Sequence, residues 1–268
     1  MNIRRSVKTV FCILRSLGTI DRGKGPVRPW HAALLIPLVV AGILGITGGI
    51  VMRPMPEALD ALASGDGVEV VTEPWLAFRP LDAEPTVGLI FYPGARADAR
   101  AYAPIAKDIA REGYHVVVVP MPLNMAIFDP GAAGRVIETY PDIERWVVGG
   151  HSLGGAMAAS FARNHPDGVD GLVVWAPYYL LGHPDLSGSD LEVVTVYGTL
   201  DGLIPPERIE ASRPYLPDDA RWIAIEGGNH AQFSWYGGQT SDNPATISRE
   251  TQQQEAISAT LSLLATLE

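Results

Sequence analysis

Five residues raise the chemical question first. Gly150-His151-Ser152-Leu153-Gly154 spells G-x-S-x-G, with an apolar run over residues 146–149 before it and an alanine-rich stretch over 152–164 after it. A serine on a tight strand-to-helix turn presents its hydroxyl as a nucleophile. Its neighbours must be small, because bulky side chains there would collide with the next strand. Gly150, Gly154 and Gly155 meet that need. A helix starting at Ser152 would also aim its free N–H groups and positive end at the reacting centre, which favours a developing oxyanion. On its own, the pentapeptide is also compatible with an ordinary glycine-rich helix start.

Serine is a weak nucleophile until a base takes its proton and a third group holds that base. Of the six histidines, His31 borders a long apolar run, His115 begins an apolar strand, His151 is inside the turn, and His165 and His183 precede prolines. His230 follows the last strand signal in the flexible stretch Glu226-Gly227-Gly228-Asn229-His230, and it is the expected base. Asp201, in Gly198-Thr199-Leu200-Asp201-Gly202 directly after a strand, is the expected acid, giving the chain order Ser, Asp, His. Turn aspartates also serve structure alone. The competing carboxylate, Asp190, precedes the strand. Two N–H donors are needed for an oxyanion: Leu153, and a residue after the strand at 87–92, either Ala95 or, if the turn is one residue longer, Arg96. No metal or cofactor is called for.

Those residues must be positioned by alternating strands and helices. Short β-branched runs occur at 87–92, 115–119, 146–149, 169–175, 193–197 and 222–225, preceded by weaker strand signals at 68–72 and 75–79. Helical patterns occupy 99–112, 152–164 and 248–267. The alternation predicts an α/β architecture, a mostly parallel sheet with helices on both faces. The segment 176–191 is too short for a cap domain, so the site should be fairly open.

The motifs together, Phe91-Tyr92-Pro93-Gly94, Ala101-Tyr102-Ala103-Pro104, Gly149 to Gly155, Tyr197 to Gly202 and Gly227-Gly228-Asn229-His230-Ala231-Gln232-Phe233, resemble the bacterial alpha/beta hydrolase family 5. The resemblance runs from about residue 68 to the C-terminus. It implies the alpha/beta-hydrolase fold and a small, lid-poor serine hydrolase related to dienelactone hydrolases. Two departures stand out: Pro93-Gly94 replaces the His-Gly of many hydrolases, and Ser152 replaces the cysteine of dienelactone hydrolases. The second argues against that lactone chemistry.

The expected activity is cleavage of a small-molecule or lipid carboxylic ester through an acyl-enzyme, without a metal. Amide or thioester cleavage by the same triad, and a non-catalytic envelope-binding module on the same fold, are the alternatives. Tyr178, Tyr179, Phe233, Trp235 and Tyr236 flank strand ends and are expected either to line an acyl or alcohol pocket or to be core and rim aromatics.

Charge divides the chain. Residues 1–53 hold eight Lys or Arg against one Asp, and the remainder holds twelve basic against twenty-nine acidic residues, a net of +7 followed by −17. An acidic catalytic half disfavours nucleic-acid binding. Residues 32–52 carry no charge and are long enough to span a bilayer, so they are expected to form a transmembrane helix, with Trp30, His31 and Arg53 as interfacial anchors. The preceding basic segment, 1–31, predicts a cytoplasmic N-terminus and a single-pass anchor at the cell membrane, with the catalytic domain outside. A cleaved signal peptide, with Ala61-Leu62-Ala63 as its cleavage site, is the competing reading. Gly45 and Gly49 have helix-packing spacing that small-residue segments produce by chance. Residues 53–67 are expected to be a linker and 68–268 the catalytic domain. The single cysteine, Cys12, allows no intrachain disulfide. Nothing in the sequence fixes the oligomeric state.

Overall fold

The strand runs pair in register into one sheet. The computed structural model describes residues 51–179, 182 and 184–268. Among them are β1 (Val68–Val71), β2 (Leu76–Pro80), β3 (Val87–Tyr92), β4 (His115–Val118), β5 (Arg145–His151), β6 (Gly171–Trp175), β7 (Glu192–Gly198) and β8 (Arg221–Ile225). They form an eight-stranded sheet in the order β1-β2-β4-β3-β5-β6-β7-β8. β2 pairs antiparallel with β1 and with β4, and every other neighbouring pair is parallel. The chain moves outward from β3 to β4 and then returns to β5 on the other side of β3. In open α/β sheets such a reversal leaves a crevice at the carboxyl ends of the strands, where ligands bind.

Alternation within each strand sorts the core into two layers. In β3, Val87, Leu89 and Phe91 face one cluster while Ile90 and Tyr92 face the other. The first layer is covered by α2 (Ala103–Arg111) and the C-terminal α6 (Arg249–Leu264); the second by α3 (Ala132–Thr139) and α4 (Leu153–Asn164). The helix α2 presents Ile105 and Ile109, four residues apart, to the sheet, and both are fully buried. Each such side chain stabilises the fold by about 1.5–3 kcal/mol. Ser248 starts α6 by accepting a hydrogen bond from the Thr251 N–H at 3.1 Å.

The N-terminal expectations need correction where they meet the described residues. Residues 53–67 are not a free linker. Pro56 at the first helical position opens α1 (Pro56–Asp60), whose Ala58 is fully buried. Residues 32–50 of the expected transmembrane segment lie outside the described residues, but its last two do not. Met52 bridges Ala97 in a parallel arrangement, donating its N–H to Arg96 O at 2.9 Å and accepting from Asp98 N at 3.1 Å. Pro54 bridges Tyr236. Among the described residues, packing onto the sheet therefore begins before residue 68. Among the described residues no helix is long and apolar enough to cross a membrane.

Two connections carry helices that the sequence pattern did not reveal: α3 between β4 and β5, and α5 (Pro206–Glu210) between β7 and β8. Between β6 and β7 the described residues contain neither helix nor strand.

Candidate active site

Ser152 stands where β5 turns into α4. Its backbone has φ 56° and ψ −121°, a left-handed conformation that costs a non-glycine residue energy and persists only where the surroundings over-determine it. Those surroundings are visible. The Ser152 N–H donates to Trp175 O at 2.8 Å, and its carbonyl accepts from Tyr178 N at 3.0 Å, so the end of β6 grips both sides of the residue. A Cβ at Gly150 would lie 2.6 Å from the Tyr92 carbonyl oxygen, and one at Gly154 would collide with the Tyr92 and Pro93 carbonyls. The two glycines let α4 start against the end of β3. The first N–H groups of α4, Leu153's among them, have no upstream helical partner.

Asp201 follows β7 in a tight turn. Its Oδ1 accepts from Leu203 N at 2.8 Å and Ile204 N at 2.7 Å, which leaves Oδ2 aimed at His230 Nδ1, 2.7 Å away. Asp201 is 3% and His230 2% exposed. With Nδ1 donating to the carboxylate, the lone pair of His230 rests on Nε2. Asp190 is exposed and begins no such network; it lies on the amino side of β7.

Three further side chains hold the His230 loop. Buried Gln252 clips Asn229 from both sides: its Nε2 donates to Asn229 O at 2.7 Å and its Oε1 accepts from Asn229 N at 2.9 Å. Asp242 ties the His230 and Asp201 loops together, its Oδ2 accepting from Ala231 N at 2.8 Å and its Oδ1 from Gly202 N at 3.0 Å. The Gln253 Nε2 donates to Gln232 O at 3.0 Å. The sequence reading missed all three, because only the fold brings residues 242–253 beside the two loops.

The turn after β3 commits most of its amides to protein acceptors. Gly94 N–H donates to the Tyr102 hydroxyl, Arg96 N–H to Asn124 O, Ala97 N–H to Gly94 O and Asp98 N–H to Met52 O. Arg96 is thereby excluded as a free donor. Among the described residues the Ala95 N–H has no protein acceptor, and Ala95 lines the same cavity as Ser152 and His230.

Behind the turn, the buried Tyr102 hydroxyl lies 2.8 Å from His151 Nδ1. That hydroxyl accepts from the Gly94 N–H and pairs with the imidazole, the tautomer of His151 deciding which of the two donates. Burial pushes the Tyr102 phenol well above its usual range. Burial first, and the neighbouring His230 second, hold His151 well below the ordinary imidazole value. The His151 ring is therefore neutral, and it packs on His230 with centroids 4.5 Å apart.

The cavity at these strand ends has a volume of about 270 Å³ and is lined at its reactive end by Ala95, Ser152 and His230. Of the five aromatic residues expected around it, Tyr178 and Tyr236 line it. Phe233 is instead fully buried against His151 and Trp175. Trp235 donates its indole N–H to Gln253 and meets the Arg249 guanidinium, while Tyr179 packs into the core layer beneath α4. Among the described residues no group of three or more His, Cys, Asp or Glu is placed to hold a metal ion.

Solved structures share this architecture. Est1E from Butyrivibrio proteoclasticus matches at 13% identity with a TM-score of 0.53, over 75% of this chain and all of that one. Alpha/beta hydrolase domain-containing protein 10 from mouse matches at 14% identity and a TM-score of 0.53, over 77% of this chain and all of that one. A predicted CIB-like hydrolase from Thermoplasma acidophilum matches at 17% identity and 0.51, over 71% and 95%. At such identities the likeness shows the fold. No curated protein matches the chain in sequence. The model of the alpha/beta hydrolase family matches residues 88–254, more than half of the chain, and the chain belongs to that family.

Proposed function

We propose that this protein is a serine hydrolase that cleaves carboxylic esters through an acyl-enzyme, with Ser152 as nucleophile, His230 as base and Asp201 as the orienting acid. The observation that carries the reading is the shared cavity of Ser152 and His230, with the His230 Nδ1 held 2.7 Å from a buried carboxylate. His230 Nε2 takes the Ser152 hydroxyl proton as Oγ attacks the ester carbonyl. The N–H groups of Leu153 and Ala95 receive the oxyanion. The imidazolium then protonates the departing alcohol, and the same base activates the water that releases the acid. Asp201 orients the imidazole and stabilises the imidazolium.

The proposal includes a site of action. The apolar run over 32–52, preceded by seven Lys or Arg, anchors the chain in the cell membrane with the catalytic unit outside.

Turnover of a short p-nitrophenyl ester by the full-length protein tests the chemistry. Ser152→Ala should lower kcat by about 10³-fold or more, and His230→Ala by a similar factor. Because the residues act as one unit, the double variant should be little worse than either single one. Full turnover by Ser152→Ala would exclude the assignment.

A further inference from the structure

The basic side chains of this acidic domain are almost all engaged. Arg79 pairs with Glu84, Arg100 with Asp98, Arg135 with Asp129 and Arg145 with Asp170, and Lys107 and Arg111 share Asp66. Arg163 acts on Asp185, Arg213 lies over Trp222, and Arg221 and Arg249 reach a hydroxyl and backbone carbonyls. Three arginines among the described residues have no such side-chain partner: Arg53, Arg96 and Arg208. Of these, Arg208 lines the proposed active-site cavity. Arg53 follows the lining residue Met52 in sequence, and Arg96 follows the lining residue Ala95. The cavity lining contains no Asp or Glu side chain; the triad carboxylate is buried behind His230.

This distribution is a finding about charge placement. With twenty-nine acidic residues against twelve basic ones after residue 53, the domain ion-pairs half of those cations, yet among the described residues it leaves Arg208, at this cavity, without a side-chain partner. A guanidinium with five donors and no partner is suited to bidentate capture of a carboxylate or phosphate. Because the domain as a whole repels anions, a local cationic wall is what admits an anionic ligand at short range.

We propose that the substrate ester carries an anionic group, a carboxylate or a phosphate, that Arg208 receives at the cavity wall after the Asp201 turn. The assignment rests on the serine-hydrolase reading and specifies its substrate class. Tyr178, Leu203 and Ile204, which line the same cavity, supply apolar surface for the chain that joins the ester to the anion.

The test compares p-nitrophenyl butyrate with the mono-p-nitrophenyl esters of succinate, glutarate and adipate on the full-length protein. The ratio of kcat/KM for the best half-ester to that for butyrate should fall about tenfold or more in Arg208→Gln. It should be partly restored in Arg208→Lys and remain unchanged in the remote Arg163→Gln. Raising the salt concentration should lower the ratio in the wild type and leave it flat in Arg208→Gln. Competition by free glutarate and by inorganic phosphate tells which anion the site prefers, and either preference supports the site. A ratio indifferent to Arg208→Gln, or inhibition by neither anion, would overturn it. If the protein hydrolysed no ester and gave no fluorophosphonate adduct, the hydrolase reading would fall separately. Calorimetric binding of glutarate or phosphate, present in the wild type and lost in Arg208→Gln, would then still support the anion site, and its absence would end it.

Discussion

Asp201 and His230 lie twenty-nine residues apart in sequence, and their side chains meet at 2.7 Å with both residues almost wholly excluded from solvent. The other carboxylate oxygen is occupied by the Leu203 and Ile204 N–H groups. An asparagine at 201 can keep those two bonds through its own carbonyl oxygen, but it would then present its NH₂ to His230 and impose the wrong tautomer. Asp201→Asn should therefore melt near the wild-type temperature while losing about 10⁴-fold in kcat. Paired calorimetry and ester turnover check this, with Asp190→Asn as the control that should stay active.

Tyr102→Phe removes one hydroxyl and strands two buried groups, the Gly94 N–H and the His151 Nδ1. The expected cost is about 1–3 kcal/mol of unfolding free energy. Because Gly94 precedes Ala95, the proposed oxyanion donor, kcat should fall more than KM rises. Denaturant titration and steady-state kinetics on the same preparation separate the two effects, and a stability loss with unchanged kcat would detach Tyr102 from the site.

Acid sensitivity has an identifiable source outside the site. His115 is 2% exposed, neither ring nitrogen has a hydrogen-bond partner among the described residues, and burial, with Arg79 adding to it, lowers its pKa from 6.5 to about 4. Its folded value lies below its unfolded one, so the unfolded chain binds the extra proton. The stability this group contributes is complete above pH 6.5 and is lost as pH falls toward 4, by about 3 kcal/mol over that interval. His115→Leu should flatten the stability curve between pH 6.5 and 4 by up to one proton's slope. Urea unfolding across that range measures it.

The N-terminal boundary gives a fourth expectation. A chain starting at residue 51 keeps the Met52 bridge to Ala97 and should be soluble and active. Deleting through Arg53 removes that bridge and a cavity-lining residue, and should lower both stability and kcat/KM. In the full-length chain in cells, protease added outside should reach residues beyond Arg53, while Cys12 stays closed to impermeant thiol reagents. Labelling of Cys12 from outside would reverse the proposed orientation.

The strands were legible because each is a short β-branched run bounded by Gly, Pro or charge, and the register then follows from alternation. The pattern at Gly150 to Gly154 was legible because the turn after β5 admits only small neighbours beside the Tyr92 and Pro93 carbonyls. The shorter helices were not: α3 has eight residues and α5 five. Residues 53–67 read as a linker because prolines and glycines obscured a helical turn whose single anchor is Ala58. The roles of Gln252, Asp242 and Tyr102 depend on contacts between distant segments, which local pattern does not encode. The aromatics near 178 and 233–236 could not be divided between cavity and core until the sheet fixed their directions.

The account stands or falls on the reactivity of Ser152. Full-length protein treated with a fluorophosphonate should gain one covalent adduct, and peptide mass spectrometry should locate it on Ser152. Labelling should vanish in Ser152→Ala and slow by about 100-fold or more in His230→Ala. An adduct on another residue, or ester hydrolysis that persists with Ser152 unlabelled, would contradict the account.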